Sequence, residues 1–259
     1  MIINCIEENF FAVSRFWGSL NSSFRHIDSI GEMSTGVAIS DINWVWNEKP
    51  LQKGSDKYIN EIKDYFKKLN LRFWWWVYPR GKSPETTAML QDAGLRLFAK
   101  VPCMAADLND SLLDYEMADK IKIFPVKNKN DLLLWKDVSF NGFEMPPRAR
   151  EQYGAFVSSF DLNARSSQKL FLAYLNETPA ATSLLFKYKN TAGIYYVSTL
   201  PAYRNQGCGL RIAQAAMKEA KDSGFKEVIL QATPLGAKVY KRTGFKEYCH
   251  ANIYKLCIY

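Results

Sequence analysis

The hexapeptide Arg204-Asn205-Gln206-Gly207-Cys208-Gly209 sits between an apolar strand and an alanine-rich helix, and that junction constrains the fold more than any other stretch of the chain. Upstream, Ile194 to Leu200 is built largely from β-branched and aromatic residues, and Pro201 ends it. Downstream, Gly209, Ile212, Ala213, Ala216, Met217 and Ala220 recur at helical spacing, which predicts a buried face. Arg211, Gln214, Lys218 and Lys221 are expected on the opposite face. Glycines let backbone N–H groups approach a ligand closely, a helix N-terminus carries partial positive charge, and Arg204 adds a full one. A pyrophosphate suits such a junction. Taken alone, R-x-x-G-x-G also describes a glycine-capped loop opening an ordinary surface helix.

The surrounding order of elements decides between these readings. Ile121 to Val126 reads as a strand, and Asp131 to Phe140 and Arg148 to Phe160 as helical regions. Leu170 to Leu175 and Ala181 to Tyr188 form a hairpin across Asn176-Glu177-Thr178-Pro179. The strand, glycine loop and helix come next, followed by a strand over Glu227 to Ala232, Thr233-Pro234 to Tyr240, Gly244-Phe245 and a last strand from Phe245 to Tyr259. In the motifs from Val197 to Phe245 the chain resembles the Gcn5-related N-acetyltransferase (GNAT) superfamily, a resemblance that covers about the last ninety residues. That resemblance implies a loop that holds the pyrophosphate of acetyl-coenzyme A beside splayed strands that admit its pantetheine arm.

The first half repeats this plan. Ser83-Pro84 precedes Gly94-Leu95 as Thr233-Pro234 precedes Gly244-Phe245, at an offset of 150 residues. In both places a hydroxyl cap and a proline open a short helix that a glycine ends. A strand lies before each, Arg72 to Val77 in the first half, and a helix before that strand, with Ile59, Ile62, Phe66 and Leu69 expected on one face. The expected fold is therefore α+β: two tandem GNAT-like acyltransferase folds, each a mixed, mostly antiparallel sheet flanked by helices. The expected domains are 1–110, degenerate and without a cofactor loop, a linker at 111–119, and 120–259, which binds acetyl-CoA. At the place of the phosphate loop the first half has Lys53-Gly54-Ser55-Asp56-Lys57, and opposite Tyr240 it has Leu90, which cannot donate a proton. Trp74-Trp75-Trp76 is read as core, because alternate strand residues face opposite sides.

Charge follows the same division. Residues 1–119 carry a net −3 and residues 120–259 a net +11, so the basic half holds the glycine loop and suits a polyanionic cofactor. The lysines are scattered rather than clustered, and no nucleic-acid partner is expected. Five cysteines without a C-x-x-C spacing suggest reduced thiols and a cytoplasmic protein. Glu7, Glu8 and Arg15 argue against a signal peptide, and no apolar run is long enough for a membrane span. Two histidines and no spaced carboxylates leave no metal expected. A monomer is expected, since tandem copies can imitate a dimer within one chain.

The resemblance implies particular roles. Arg204, Gln206, Gly207, Cys208 and Gly209 would contact the pyrophosphate, mostly through backbone N–H groups. Val197 and Thr199 lie on the strand that pairs with pantetheine, and a backbone N–H there would bind the thioester carbonyl. Tyr240 would be the general acid, since a phenol of pKa about 10 stays protonated at neutral pH. Cys208 has no histidine placed to activate it as a nucleophile. Glu144 is the candidate general base, with ordered water as the alternative. The activity implied is N-acetylation of a primary amine on a small-molecule or amino-acid-like acceptor. A non-catalytic acyl-CoA-binding module and an aminoacyl-tRNA-using transferase are the alternatives; an intact Tyr240 and an intact loop weigh against them.

Overall fold

The computed structural model describes residues 2–21, 23–109, 120–163 and 165–256; the expected linker 111–119 lies outside the described residues. The helices are α1 (Ile2–Leu20), α2 (Asp56–Lys68), α3 (Pro84–Asp92), α4 (Lys129–Gly142), α5 (Arg150–Ser158), α6 (Cys208–Asp222) and α7 (Pro234–Lys241). The strands are β1 (Arg25–Ile27), β2 (Ile30–Met33), β3 (Trp44–Asn47), β4 (Trp74–Val77), β5 (Leu95–Asp107), β6 (Ile121–Pro125), β7 (Gln168–Leu175), β8 (Thr178–Tyr188), β9 (Thr191–Thr199), β10 (Glu227–Gln231) and β11 (Lys246–Leu256). The described residues form two compact units.

One unit takes the stretch ending at Asn9, Pro102–Arg150 and Phe160–Tyr248. Its strands run in the order β5-β10-β9-β8-β7-β6. From β6 to β9 neighbours are antiparallel, β9 and β10 are parallel, and Cys103–Asp107 of β5 pairs antiparallel with β10. α6 packs on β7, β8 and β9. It buries the residues its periodicity predicted, Ile212, Ala213, Ala216, Met217 and Ala220, in a core shared with Val228, Leu230 and Phe245. Gln214 departs from the expectation and is buried. It sits one step of about 100° from Ala213, at the margin of a stripe that widens because α6 lies across three strands. α4 packs on β8 and β9, with Trp135 fully buried and its Nε1 donating to the Ser183 carbonyl at 3.2 Å.

The other unit takes Phe10–Val101, Glu151–Ser159 and the chain from Cys249. Its strands run β1-β2-β3-β4-β11. β2 and β3 are antiparallel, β3 and β4 parallel, and Asn252–Tyr254 of β11 pairs antiparallel with β4. Ile59, Ile62 and Phe66 of α2 pack with Trp75, Val77 and Leu90. Leu69 does not join that face and is 45% exposed, because α2 ends at Lys68 and Leu69 is its C-cap. The tryptophan run divides as strand alternation requires. Trp75 enters the α2 core, whereas Trp76 meets Phe10 at a centroid distance of 4.9 Å and Trp44 at 6.0 Å.

The two units thus share one local plan: an antiparallel hairpin, a parallel pair, then an antiparallel strand. The matching caps have matching geometry. Ser83 Oγ accepts from the Thr86 N–H at 2.9 Å, and Thr233 Oγ1 accepts from the Gly236 N–H at 3.1 Å. Gly94 and Gly244 end the two short helices at φ 84° and 95°, where a side chain would be strained.

Candidate functional site

The parallel ladder between β9 and β10 covers only Thr191–Gly193 against Glu227–Ile229. Beyond it, β9 continues to Thr199 and β10 to Gln231. A β-bulge accompanies the opening: Thr182 pairs with Ser198 and Leu184 with Tyr195, so Ser183 faces both Tyr196 and Val197. Tyr196 takes up the extra residue at φ 51°.

The bulge sorts side chains between the two faces of the sheet. Ala192 and Ile194 belong to the α6 core. Tyr195 faces α1, its hydroxyl donating to Asn9 Oδ1 at 2.8 Å. Tyr196 packs beside Trp135 of α4 at 5.4 Å. Val197 then returns to the α6 core, and Thr199 Oγ1 lies beside Gly209. The Leu200 N–H donates to Ala180 on β8 at 2.9 Å, and Ser198 is paired with Thr182. Alternation therefore turns the N–H and C=O groups of Val197 and Thr199 toward the β10 side, where the ladder is open.

Beyond β9 the loop delivers the N-terminus of α6. Gly207 is its N-cap at φ 87°, and among the described residues no side chain caps the helix, so the N–H groups at its very start lack the usual capping acceptor. A Cβ at Gly209 would stand 3.4 Å from Thr199 Oγ1, which shows how closely the helix start approaches the end of β9. Cys208 is buried, and burial pushes its thiol pKa up, the reverse of what a nucleophile needs. Gln206 turns its Nε2 back to the Ala202 carbonyl at 3.1 Å, leaving backbone as its contribution to the loop.

The structure sets Arg204 beside Glu144. Its Nη2 donates to Glu144 Oε2 at 2.8 Å and to the Gly142 carbonyl at 3.0 Å, and its Nε donates to the Thr199 carbonyl at 3.3 Å. Arg204 and Glu144, read separately as phosphate ligand and base, are thus one ion pair. Sequence spacing gave no signal for it, because the partners are 60 residues apart.

Tyr240 projects from α7 and is 8% exposed, its ring 5.8 Å from that of Phe245. Gly236 makes room for it, since a Cβ there would come within 3.0 Å of the ring. Burial raises the phenol pKa well above its ordinary value. Among the described residues its hydroxyl has no hydrogen-bond partner. The oxygen is protonated and uncommitted.

The corresponding place in the other unit is closed. Asn47, at the end of β3, donates through Nδ2 to the carbonyls of Lys49 at 2.7 Å and Gly81 at 2.9 Å, and accepts from Trp75 Nε1 at 3.1 Å. It ties the loop after β3 to the loop after β4. Three N–H groups before α2 are also used: Leu51 donates to Thr86 Oγ1, Gln52 to Ser55 Oγ and Ser55 to the Gln52 carbonyl, although α2, like α6, has no side-chain cap. Leu90, opposite Tyr240 in the repeat, is fully buried core.

Among the described residues no group of three or more His, Cys, Asp or Glu could hold a metal ion, and no helix is long and apolar enough to cross a membrane.

Comparison with known proteins bears on the fold. Residues 132–245 match the model of the Acetyltransferase (GNAT) family. A GCN5-related N-acetyltransferase from Kribbella flavida superposes with a TM-score of 0.74 at 15% identity, over 97% of this chain and 96% of that one. One from Sphaerobacter thermophilus gives 0.63 at 16% identity, over 88% of this chain and 76% of that one. A tandem GNAT protein from the clavulanic acid biosynthesis pathway gives 0.57 at 10% identity, over 87% and 77%. At these identities the likeness is one of fold. No curated protein matches the chain in sequence.

Proposed function

Residues 132–245 match the Acetyltransferase (GNAT) family model, and from that premise we propose that the protein is an acetyl-CoA-dependent N-acetyltransferase acting on a primary amine of a small-molecule or amino-acid-like acceptor. The observation that carries the proposal is the coincidence of the open β9–β10 ladder with an uncapped helix N-terminus at Gly207. The first supplies unpaired strand edge for a pantetheine amide, and the second supplies N–H donors and positive partial charge for a pyrophosphate. The proposal puts the cofactor site in the half of the chain after 111–119.

Each residue then has a task. The first-turn N–H groups of α6, with those of Gln206 and Gly207, hold the pyrophosphate. The Val197 N–H, free on the open side of the bulge, polarises the thioester carbonyl as negative charge develops on its oxygen. The neutral amine attacks the carbonyl carbon; the N–C bond forms, the C–S bond breaks, and the amine proton leaves to water or a base. Tyr240 donates its proton to the departing thiolate. Glu144 can serve as that base only after releasing Arg204, so ordered water is the simpler proton acceptor.

Calorimetric titration of acetyl-CoA into the purified protein tests the reading, with the Gly207→Ala/Gly209→Ala double variant as control. Saturable binding lost in the variant is expected, followed by an amine screen for turnover. Absence of binding by the intact protein would overturn it.

A further inference from the structure

Arg204 holds three acceptors that belong to two separate elements. The Thr199 carbonyl ends β9, whereas the Gly142 carbonyl and the Glu144 carboxylate belong to the turn that follows α4. That turn is built to be held. Glu144 sits at φ 53°, a left-handed conformation that is costly for a glutamate. Gly142 approaches β9 so closely that a Cβ would stand 2.7 Å from Ser198 Oγ, and the Phe143 ring meets that of Tyr196 edge-on at 5.9 Å.

We propose that Arg204 is a positioning residue: its guanidinium clamps the turn 142–144 to the end of β9, fixing one wall of the site, and does not ligate the pyrophosphate. The inference rests on the acetyl-CoA reading for what the wall encloses. Both side chains are substantially exposed, 43% for Arg204 and 64% for Glu144, so the ion pair alone holds little. The two carbonyls make the difference, because a planar guanidinium satisfies three acceptors in one orientation and a lysine ammonium does not reproduce that fork. Phosphate binding is left to backbone N–H groups, which Arg204 does not supply.

The test combines calorimetry with coenzyme A and hydrogen exchange of the peptide spanning 140–147, on the full-length protein and its Arg204→Ala, Arg204→Lys and Glu144→Gln variants. Arg204→Ala is expected to lower protection of the amides of 143–145 by about tenfold, in line with losing hydrogen bonds to a charged donor, while coenzyme A affinity changes by less than about threefold. Glu144→Gln keeps one neutral acceptor and Arg204→Lys keeps the charge, so both should fall between wild type and alanine. Their intermediate effect separates a clamp from general loss of structure. Loss of coenzyme A affinity by about tenfold or more in Arg204→Ala, with protection and the Glu144→Gln protein unchanged, would make Arg204 a phosphate ligand and overturn the proposal. If the wild-type protein binds no coenzyme A, the acetyl-CoA reading fails, and the exchange data alone still decide whether the clamp exists.

Discussion

The Thr182 hydroxyl donates a hydrogen bond to the Tyr196 carbonyl at 2.9 Å, across the bulge that opens the ladder between β9 and β10. A threonine has one hydroxyl proton, so the 2.7 Å contact between Thr182 Oγ1 and Ser198 Oγ must be donated by Ser198. Both side chains are buried, and the chain of donors has a single direction. The left-handed Tyr196 is held by a satisfied polar network rather than by packing alone.

Replacing Thr182 by valine keeps the shape and strands both the Tyr196 carbonyl and the Ser198 hydroxyl. The variant should lose about 2–3 kcal/mol in urea unfolding, whereas Thr182→Ser should stay within about 1 kcal/mol of wild type. Coenzyme A affinity should weaken with valine and recover with serine. Equal stability of the valine and serine variants would remove the network from the account of the bulge.

The two glycines of the loop should respond in opposite senses. Gly207 sits at φ 87° with nothing nearer to a new Cβ than Ile121 Cδ1 at 3.7 Å, so Gly207→Ala carries backbone strain and little crowding. A loss of about 1–2 kcal/mol is expected. Gly209 is the second residue of α6, with ordinary space around it, and alanine there should stabilise the helix by a few tenths to about 1 kcal/mol. Both changes should weaken acetyl-CoA binding, because each puts a methyl group where backbone must meet a ligand. Thermal unfolding paired with calorimetry separates the two effects.

How much of this was legible beforehand depends on range. Local chemistry was readable: the hydroxyl caps at Ser83 and Thr233, the α6 core stripe and the glycine junction rest on neighbours within a turn or two. The bulge at Tyr196 was not, since one extra residue in a strand leaves the alternation of β-branched and aromatic side chains looking intact over so short a run. The pairing of Arg204 with Glu144 was not, because it depends on where the turn after α4 meets the end of β9. Gln214 and Leu69 were misassigned for opposite reasons: α6 is covered over a wider arc than its apolar stripe, and α2 stops one residue before its stripe does. The closed counterpart of the site was legible as a missing R-x-x-G-x-G pattern and a leucine in place of Tyr240. The Asn47 plug that closes it shows only in three dimensions.

That plug makes a stoichiometry prediction. Asn47 satisfies Trp75 and two loop carbonyls, so Asn47→Ala should cost about 2–4 kcal/mol by leaving buried polar groups unpaired, without creating a second site. Calorimetry with acetyl-CoA should give one site per chain for wild type and variant alike. Two sites in either protein would contradict the closure.

Glu32 sets a pH dependence that does not involve the loop. It is 1% exposed, and burial raises its pKa to about 7 against the pull of Arg25, whose Nε stands 2.9 Å away; Glu61 adds to the rise. An unfolded glutamate titrates near 4.5. The folded protein therefore holds the proton over a pH range in which the unfolded chain has released it. Stability should fall by about 3 kcal/mol as pH rises from 4.5 through 7 and change little above that. Denaturant titrations at pH 5 and pH 8 measure the difference, which should shrink in Glu32→Gln.

Tyr240→Phe isolates the proposed acid. The phenol oxygen has no hydrogen-bond partner among the described residues, so its removal leaves no protein group unsatisfied and should move stability by less than about 0.5 kcal/mol. The ring, which fills the space beside Phe245, is retained. With an acceptor from the amine screen, kcat should fall by about 10²- to 10⁴-fold while acetyl-CoA affinity is kept. The raised phenol pKa adds a second signature. A group that holds its proton above the ordinary tyrosine range keeps the acid competent through alkaline pH, so wild-type kcat should show no descending limb up to about pH 10. A kcat unchanged by Tyr240→Phe would transfer the proton donation to solvent.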